Sequence, residues 1–304
     1  MTQEVVIPLP GNEALAESIS KQLPSERGSL QMRSFPDEET YLRYEDQLTG
    51  RTVILVCSLN KPNPKFLSLV FAADTARDLG AAKVVLVAPY LCYMRQDHRF
   101  HSGEAVTSVS FARRLSSSFD SFVTVDPHLH RYRSLDEIYS IPSRVVHSAS
   151  TIAEWLLKNE KSVILIGPDI ESEQWVSDVA GRARSPYRVL RKERFGDRNV
   201  KIELPDLTEF KGHKPVLIDD IVSSGRTMTE AARQLRQHGL AAPLCIAVHG
   251  LFTPQTEREL LEVAARVVTT NTVPHHTNDI DLSRAITEEV AALCRPDRRS
   301  RESL

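Results

Sequence analysis

Residues 214–237 read KPVLIDDIVSSGRTMTEAARQLRQ. Val216, Leu217 and Ile218 form a short apolar run that ends in two carboxylates, Asp219 and Asp220. A buried parallel strand reads this way when it delivers polar groups at its carboxyl end. Ser223, Ser224, Gly225, Arg226 and Thr227 make a turn of small and hydroxyl residues, and a helix follows, with Ala231, Ala232 and Leu235 at apolar spacing and Gly239 past its end. Strand, small-residue turn and helix aim free backbone N–H groups at an anion, and the three hydroxyls add donors for phosphate oxygens. Acceptor-only carboxylates suit vicinal hydroxyls or a hydrated metal. A phosphate held beside a diol describes a pentose phosphate. The competing reading is a generic strand-to-helix turn, because Asp and Ser are common turn residues.

The totals bound the rest. The chain has 304 residues, 41% apolar and 26% charged, a globular composition long enough for two domains. A net charge of -2 argues against a broad nucleic-acid-binding surface. Cys57, Cys92, Cys245 and Cys294 show no CxxC spacing and fit a reduced compartment. The opening MTQEVVIPLP lacks a charged, then apolar, leader pattern, and no run approaches membrane-spanning length, so a soluble cytoplasmic protein is expected.

Along the chain, strands are expected at 4–9, 52–57, 83–88, 121–125, 162–166, 187–190, 244–248 and 266–269, besides the one that ends in Asp219 and Asp220. Helices are expected at 12–22, 64–79, 105–115, 150–157, 172–184 and 254–264, with a hairpin at 29–35 and 40–44 and a patternless charged connection after 190. Alternating strands and helices mean α/β domains, each a mainly parallel sheet flanked by helices. Two similar domains are expected, 1–145 and 146–304, alike in architecture but not in residues. The charged tail CRPDRRSRESL reads as a frayed end.

The order DD-x-x-S-S-G-x-T from Asp219 resembles the phosphoribosyl diphosphate (PRPP) loop of type I phosphoribosyltransferases. A second stretch narrows the chemistry. PYLCYMRQDHRFHSGEAVTS, residues 89–108, leaves the carboxyl end of the strand at 83–88, where α/β proteins bind ligands. It closely resembles the segment P-Y-x-x-Y-x-R-Q-D-x-x-F-x-x-G-E-x-x-[ST] of ribose-phosphate diphosphokinases, the PRPP synthetases. Phe35, Asp37, Glu38 and Glu39 match that family's F-x-D-G-E, with Glu38 where the family has Gly. Asp126-Pro127-His128 resembles D-L-H, Asp169 its P-D segment, Lys192-Glu193-Arg194 its K-x-R, and Asn271-Thr272-Val273-Pro274 its late T-N-T-I-P. Singly each match has a plain alternative: His128 and His130 as surface histidines, Asp169 as a cap, Lys192 to Arg194 as a solvated charge cluster, His275-His276 as polar loop residues. Six matches in family order argue against all of them together.

The resemblance implies two phosphoribosyltransferase-type domains and magnesium-dependent transfer of diphosphate from ATP to ribose 5-phosphate, giving AMP and PRPP. It implies ATP contacts at Arg95, Gln96, Phe35, Asp37, Glu38 and Glu39, the last four lent to a neighbouring subunit. It places ribose 5-phosphate on Asp219, Asp220, Ser223, Ser224, Gly225, Arg226, Thr227 and Arg194, magnesium on His128 and Asp169, and catalytic roles on Lys192, Arg194 and His128. A homo-oligomer follows, a dimer at minimum, with a hexamer left open. Three departures stand out: Ser223 replaces an Asp and is a poor base, Arg226 replaces a Gly, and Glu171-Ser172 replaces a Gly-Gly, a subgroup mark. A PRPP-consuming phosphoribosyltransferase would explain residues 214–237 but not residues 89–108, and a non-catalytic regulatory subunit would be expected to have lost its charged site residues.

Overall fold

Parallel strands bury both faces, so their apolar runs set the frame. The computed structural model describes residues 4–195, 199–203 and 205–295, without the side chains of 192–203. The first elements are β1 (Glu4–Pro8), α1 (Glu13–Gln22), β2 (Ser25–Arg27), β3 (Leu30–Ser34), β4 (Thr40–Tyr44), β5 (Thr52–Val56), α2 (Asn63–Asp78), β6 (Lys83–Ala88), α3 (Thr107–Ser118), β7 (Ser121–Val125) and β8 (Ser143–Val146). Then come α4 (Ala149–Asn159), β9 (Val163–Gly167), α5 (Glu173–Ala183), β10 (Tyr187–Val189), β11 (Arg191–Phe195), β12 (Asn199–Glu203) and β13 (Lys214–Val222). The chain continues through α6 (Arg226–Gln237), β14 (Leu244–Gly250), α7 (Pro254–Leu261), β15 (Arg266–Thr270), β16 (Asn278–Ile280) and α8 (Ser283–Cys294).

Two six-stranded parallel sheets result, in the orders β2-β1-β5-β6-β7-β8 and β10-β9-β13-β14-β15-β16. Each sheet's first edge strand leads into an antiparallel hairpin, β3-β4 or β11-β12. The central strands are sealed: Val53 to Val56, Val84 to Val87 and Val216 to Ile218 are fully buried. Burying each such side chain stabilises by about 1.5–3 kcal/mol.

The expected strands and helices are present with ends shifted by a few residues, and the hairpin at 29–35 and 40–44 forms as β3-β4. Three expectations are corrected. The connection after residue 190 is the hairpin β11-β12, where backbone ladder bonds fix a pairing that its charged side chains do not advertise. β13 does not end in the two carboxylates but runs through them to Val222, because Ile221 and Val222 pair with His249 and Gly250 of β14.

The third correction concerns the division. Among the described residues, contacts gather those up to Val146 with those from Ser283 onward in one unit and those of 147–282 in the other, rather than splitting at a single cut after 145. Helix α8 packs on α1, β7 and β8 of the first unit and buries Ile286, Thr287 and Val290 there. Lys83 Nζ donates to the Leu293 carbonyl at 2.8 Å, and Gln22 Nε2 to Ser283 Oγ at 3.3 Å. Helix α4, which follows β8, packs instead on α5 and β16 of the second unit. The charged tail beyond Arg295 lies outside the described residues. Among those described, no helix is long and apolar enough to cross a membrane.

Ile286→Ala is expected to cost about 2–5 kcal/mol as a large-to-small core change. Hydrogen exchange should speed up in peptides covering α1, β7 and β8 and stay unchanged in those covering β14 to β16. The reverse pattern would refute the assignment of α8 to the first unit.

Candidate functional site

In the second unit the sugar-side residues gather at the carboxyl ends of β9 and β13. Leu217 lies opposite Ile166 of β9, so Asp219 and Asp169 reach the same edge of the sheet. Asp169 accepts a hydrogen bond from the Glu171 N–H at 3.1 Å, and Ser172 Oγ donates to the Asp169 carbonyl at 2.6 Å. The capping alternative for Asp169 is thus realised. Gly167 permits this fold-back, because a Cβ there would lie 2.4 Å from Ser172 Oγ. The substitution of Ser172 in the subgroup pattern therefore has a structural task.

Asp219 is half-buried. Burial first, then the negative charges of Asp220 and Asp169, push its carboxyl well above the usual carboxylate range. The Asp220 N–H donates to Asp219 Oδ1 at 3.0 Å and the Ile221 N–H to Asp220 Oδ1 at 2.7 Å, which sets both carboxylates against the strand. The cluster of hard oxygen donors, one of them resisting ionisation, has the chemistry of a site for a hydrated divalent cation or a diol.

The turn after β13 hinges on Gly225. Its φ is +68°, and a Cβ would lie 2.5 Å from Thr256 Cγ2 of α7. Both constraints select glycine. The Gly225 carbonyl accepts from the Thr229 N–H at 2.8 Å, opening α6. Helix α6 fastens itself through buried Met228, Ala231, Ala232 and Leu235, so its N-terminal N–H groups face the turn. Ser223 and Thr227 are half-buried and Ser224 exposed. Arg226 is the first helical residue and exposed, so its side chain does not crowd the turn.

In the first unit the stretch 89–108 is tied to the stretch after β7. Asp97, buried, pairs with Arg131 at 3.2 Å, and Tyr132 Oη donates to the Asp97 carbonyl at 3.3 Å while sitting 2.9 Å from Ser108 Oγ. These contacts hold exposed Arg95 and half-buried Gln96 beside the connection that carries His128. The rings of His128 and His130 meet edge to face with centroids 4.0 Å apart. Glu104 accepts from the Phe100 and His101 N–H groups at 2.8 and 3.1 Å and from His101 Nδ1 at 2.7 Å, closing the stretch on itself. The His101 bond and the two backbone bonds lower its carboxyl. Sequence reading placed Asp97 in register but missed Arg131 and Tyr132 as its partners, since one Arg and one Tyr in a polar connection carry no pattern.

The turn at 35–39 belongs to β3-β4, which α2 holds through Thr40 Oγ1 to Ser68 Oγ at 2.8 Å and Tyr44 Oη to the Ala72 carbonyl at 2.8 Å. The Phe35 N–H donates to the Glu39 carbonyl at 2.8 Å and the Glu38 N–H to the Phe35 carbonyl at 3.0 Å. Asp37 Oδ1 accepts from the Glu39 N–H at 3.4 Å. Glu38 has φ +72°, which explains why glycine is the pattern residue there. Phe35 is exposed, with the Arg33 guanidinium 4.8 Å from its ring centre. Lys192 and Arg194 occupy alternate positions of β11, opposite Ile202 and Val200; their side chains lie outside the described residues.

Comparison with known proteins agrees with this layout. Residues 5–118 match the N-terminal domain of ribose phosphate pyrophosphokinase, and residues 134–283 match the phosphoribosyl transferase domain. A ribose-phosphate pyrophosphokinase of Methanopyrus kandleri is 31% identical over 92% of this chain and 96% of its own length. Another, of Saccharolobus solfataricus, is 31% identical over 93% and 98%. The crystal structure of phosphoribosylpyrophosphate synthetase from Mycobacterium smegmatis superposes with a TM-score of 0.82 at 19% identity, covering 96% of this chain and 99% of that one, and shares the fold. With both domain types matched in sequence order and such relatives aligned nearly end to end, the chain belongs to the ribose-phosphate pyrophosphokinase family.

Proposed function

We propose that this chain transfers the diphosphate of ATP to the 1-hydroxyl of ribose 5-phosphate, releasing AMP and forming 5-phosphoribosyl 1-diphosphate. The observation that carries the reading is the junction of β13 and α6, which sets a carboxylate pair beside an anion-binding turn as a phosphorylated sugar requires. Asp219 and Asp220 accept the ring hydroxyls, and the turn at 223–227 holds the 5-phosphate through backbone N–H groups and the hydroxyls of Ser223, Ser224 and Thr227. Arg226, exposed at the helix start, is free to turn toward the same phosphate. Arg95 and Gln96 take the ATP phosphates, and the 35–39 turn takes the base, donated from a neighbouring copy in a homo-oligomer.

In-line transfer asks the protein for positioning and charge neutralisation rather than covalent chemistry. Lys192 and Arg194 of β11 supply that charge. Magnesium fits the donors present: on the sugar side Asp169, with the carboxylates of Asp219 and Asp220 whose mutual repulsion a cation relieves, and on the nucleotide side His128. When bound, the ion offsets phosphate charge. Ser223 binds and does not act as a base.

Phosphorus NMR of ATP, magnesium and ribose 5-phosphate with the enzyme should show AMP appearing with a new sugar diphosphate. ADP with a sugar bisphosphate would overturn the reading, as would PRPP loss that depends on a nucleobase. Lys192→Ala should lower turnover by about a hundredfold or more, and wild-type turnover at saturating substrates would remove it from the mechanism.

Asp219→Asn should abolish ribose 5-phosphate binding yet stabilise the unliganded protein. A carboxyl raised on folding destabilises the fold once pH passes its ordinary value, so the variant's gain in melting temperature should be present at neutral pH. The gain should vanish below about pH 3.8, where both side chains are neutral. A gain independent of pH would count against the charge-repulsion account.

A further inference from the structure

A second cluster of metal-binding groups lies where the family resemblance assigns nothing. Glu257, in the first turn of α7, and His275 and His276, between β15 and β16, bring one ligand atom each to within 4.8 Å of one another. His276 Nε2 is 2.8 Å from Glu257 Oε1, and His275 Nε2 is 3.8 Å from Glu257 Oε2. Ligands about 2.0–2.2 Å from a tetrahedral zinc stand roughly 3.4 Å apart, between these two separations. Glu257 is 8% exposed, whereas the His276 side chain is 72% exposed, so a buried carboxylate opens to solvent through one ring.

The hydrogen bonds around His275 decide which of its nitrogens can ligate. Asn278 Nδ2 donates to the Val273 carbonyl at 3.0 Å, which orients its amide. Thr269 Oγ1 spends its proton on Asn278 Oδ1 at 2.7 Å. The Thr277 hydroxyl lies 2.8 Å from Thr269 Oγ1 and 2.8 Å from His275 Nδ1, and the Thr277 N–H donates to the same nitrogen at 3.3 Å. Nδ1 of His275 is thus engaged by Thr277, and Nε2 is the ring nitrogen that faces Glu257 Oε2, at 3.8 Å. An imidazole whose other nitrogen is held by a hydrogen bond is the usual arrangement of a metal ligand.

We infer that Glu257, His275 and His276 form a site for a divalent transition metal of the zinc class. Two imidazoles and one carboxylate favour zinc or cobalt over magnesium, which prefers oxygen ligands. On binding, the cation takes the place of the proton between His276 Nε2 and Glu257, and that proton passes to solvent. Water completes the coordination on the exposed side.

The test uses the full chain, stripped by chelator and titrated with zinc chloride by calorimetry and with cobalt chloride by visible absorption. One saturable equivalent is expected, with intense ligand-field bands from cobalt. His276→Ala, at an exposed position that does not threaten folding, should weaken zinc at least about tenfold, as should Glu257→Gln, while His128→Ala should leave this equivalent in place. Absence of saturable zinc binding in the wild type would overturn the assignment. So would an affinity unchanged by both His276→Ala and Glu257→Gln in protein shown folded by circular dichroism, or loss of the equivalent in His128→Ala alone.

Discussion

Like charges brought together at the carboxyl ends of two adjacent strands are the constraint on which the second unit depends. Asp219 is held on β13 between Asp220 and the reach of Asp169, and its carboxyl is reluctant to ionise. Such a cluster persists only when the surroundings over-determine it. Here they do so by burial: Val216, Leu217 and Ile218 immediately before it are fully excluded from solvent, and β13 is paired on both sides, by β9 and β14. Three buried side chains at about 1.5–3 kcal/mol each outweigh the repulsion among partly solvated carboxylates. The fold thus carries a local instability that a cation or a hydrogen-bonding ligand would relieve.

The second support is the placement of the two helices that follow the sheets. The helix after the last strand of the first sheet, α4, covers the second sheet, and the helix after the last strand of the second sheet, α8, covers the first. The second unit is therefore continuous in sequence, whereas the first is completed by a helix that follows the second. Periodicity could reveal apolar stripes, and it did so for the central strands, whose runs of Val, Ile and Leu suit a buried strand and little else. It did not bring out α8, and a stripe alone would not show where it docks, since Ile286 and Val290 would serve against either sheet. The same limit explains the missed hairpin β11-β12: its backbone pairing holds residues such as Lys192 and Arg194 in a strand although charge dominates the segment. The short edge strands β2, β8 and β16 escaped for a related reason, because three or four residues do not make a pattern.

The candidate site was legible to the extent that its chemistry is local. The acid pair, the hydroxyl turn and Gly225 are adjacent in sequence and remain adjacent in space. The ties that position Arg95 and Gln96 are not local, since Asp97 finds Arg131 across 34 residues. That pair is invisible until the loops are folded, although a buried Asp cannot do without a partner.

The departures from the family pattern take on a definite meaning in the structure. Glu38 stands in for glycine and still adopts φ +72°, with both turn hydrogen bonds in place. A left-handed non-glycine residue costs about 1–2 kcal/mol, so the hairpin and its anchors on α2 impose the turn rather than the turn residue permitting it. Arg226 also replaces glycine, but the left-handed position in that turn is filled by Gly225 one residue earlier, leaving Arg226 an ordinary helical start. Tyr93 and Asp126, left-handed at φ +60° and +30°, mark the other two stretches expected on the nucleotide side. Tyr93 is held between buried Cys92 and Met94 and packs on Phe111, whereas Glu38 lies in an exposed turn held by its own hydrogen bonds. The backbone there is held against its own preference, and the side chains at the departing positions are additions to a fixed shape rather than changes of it.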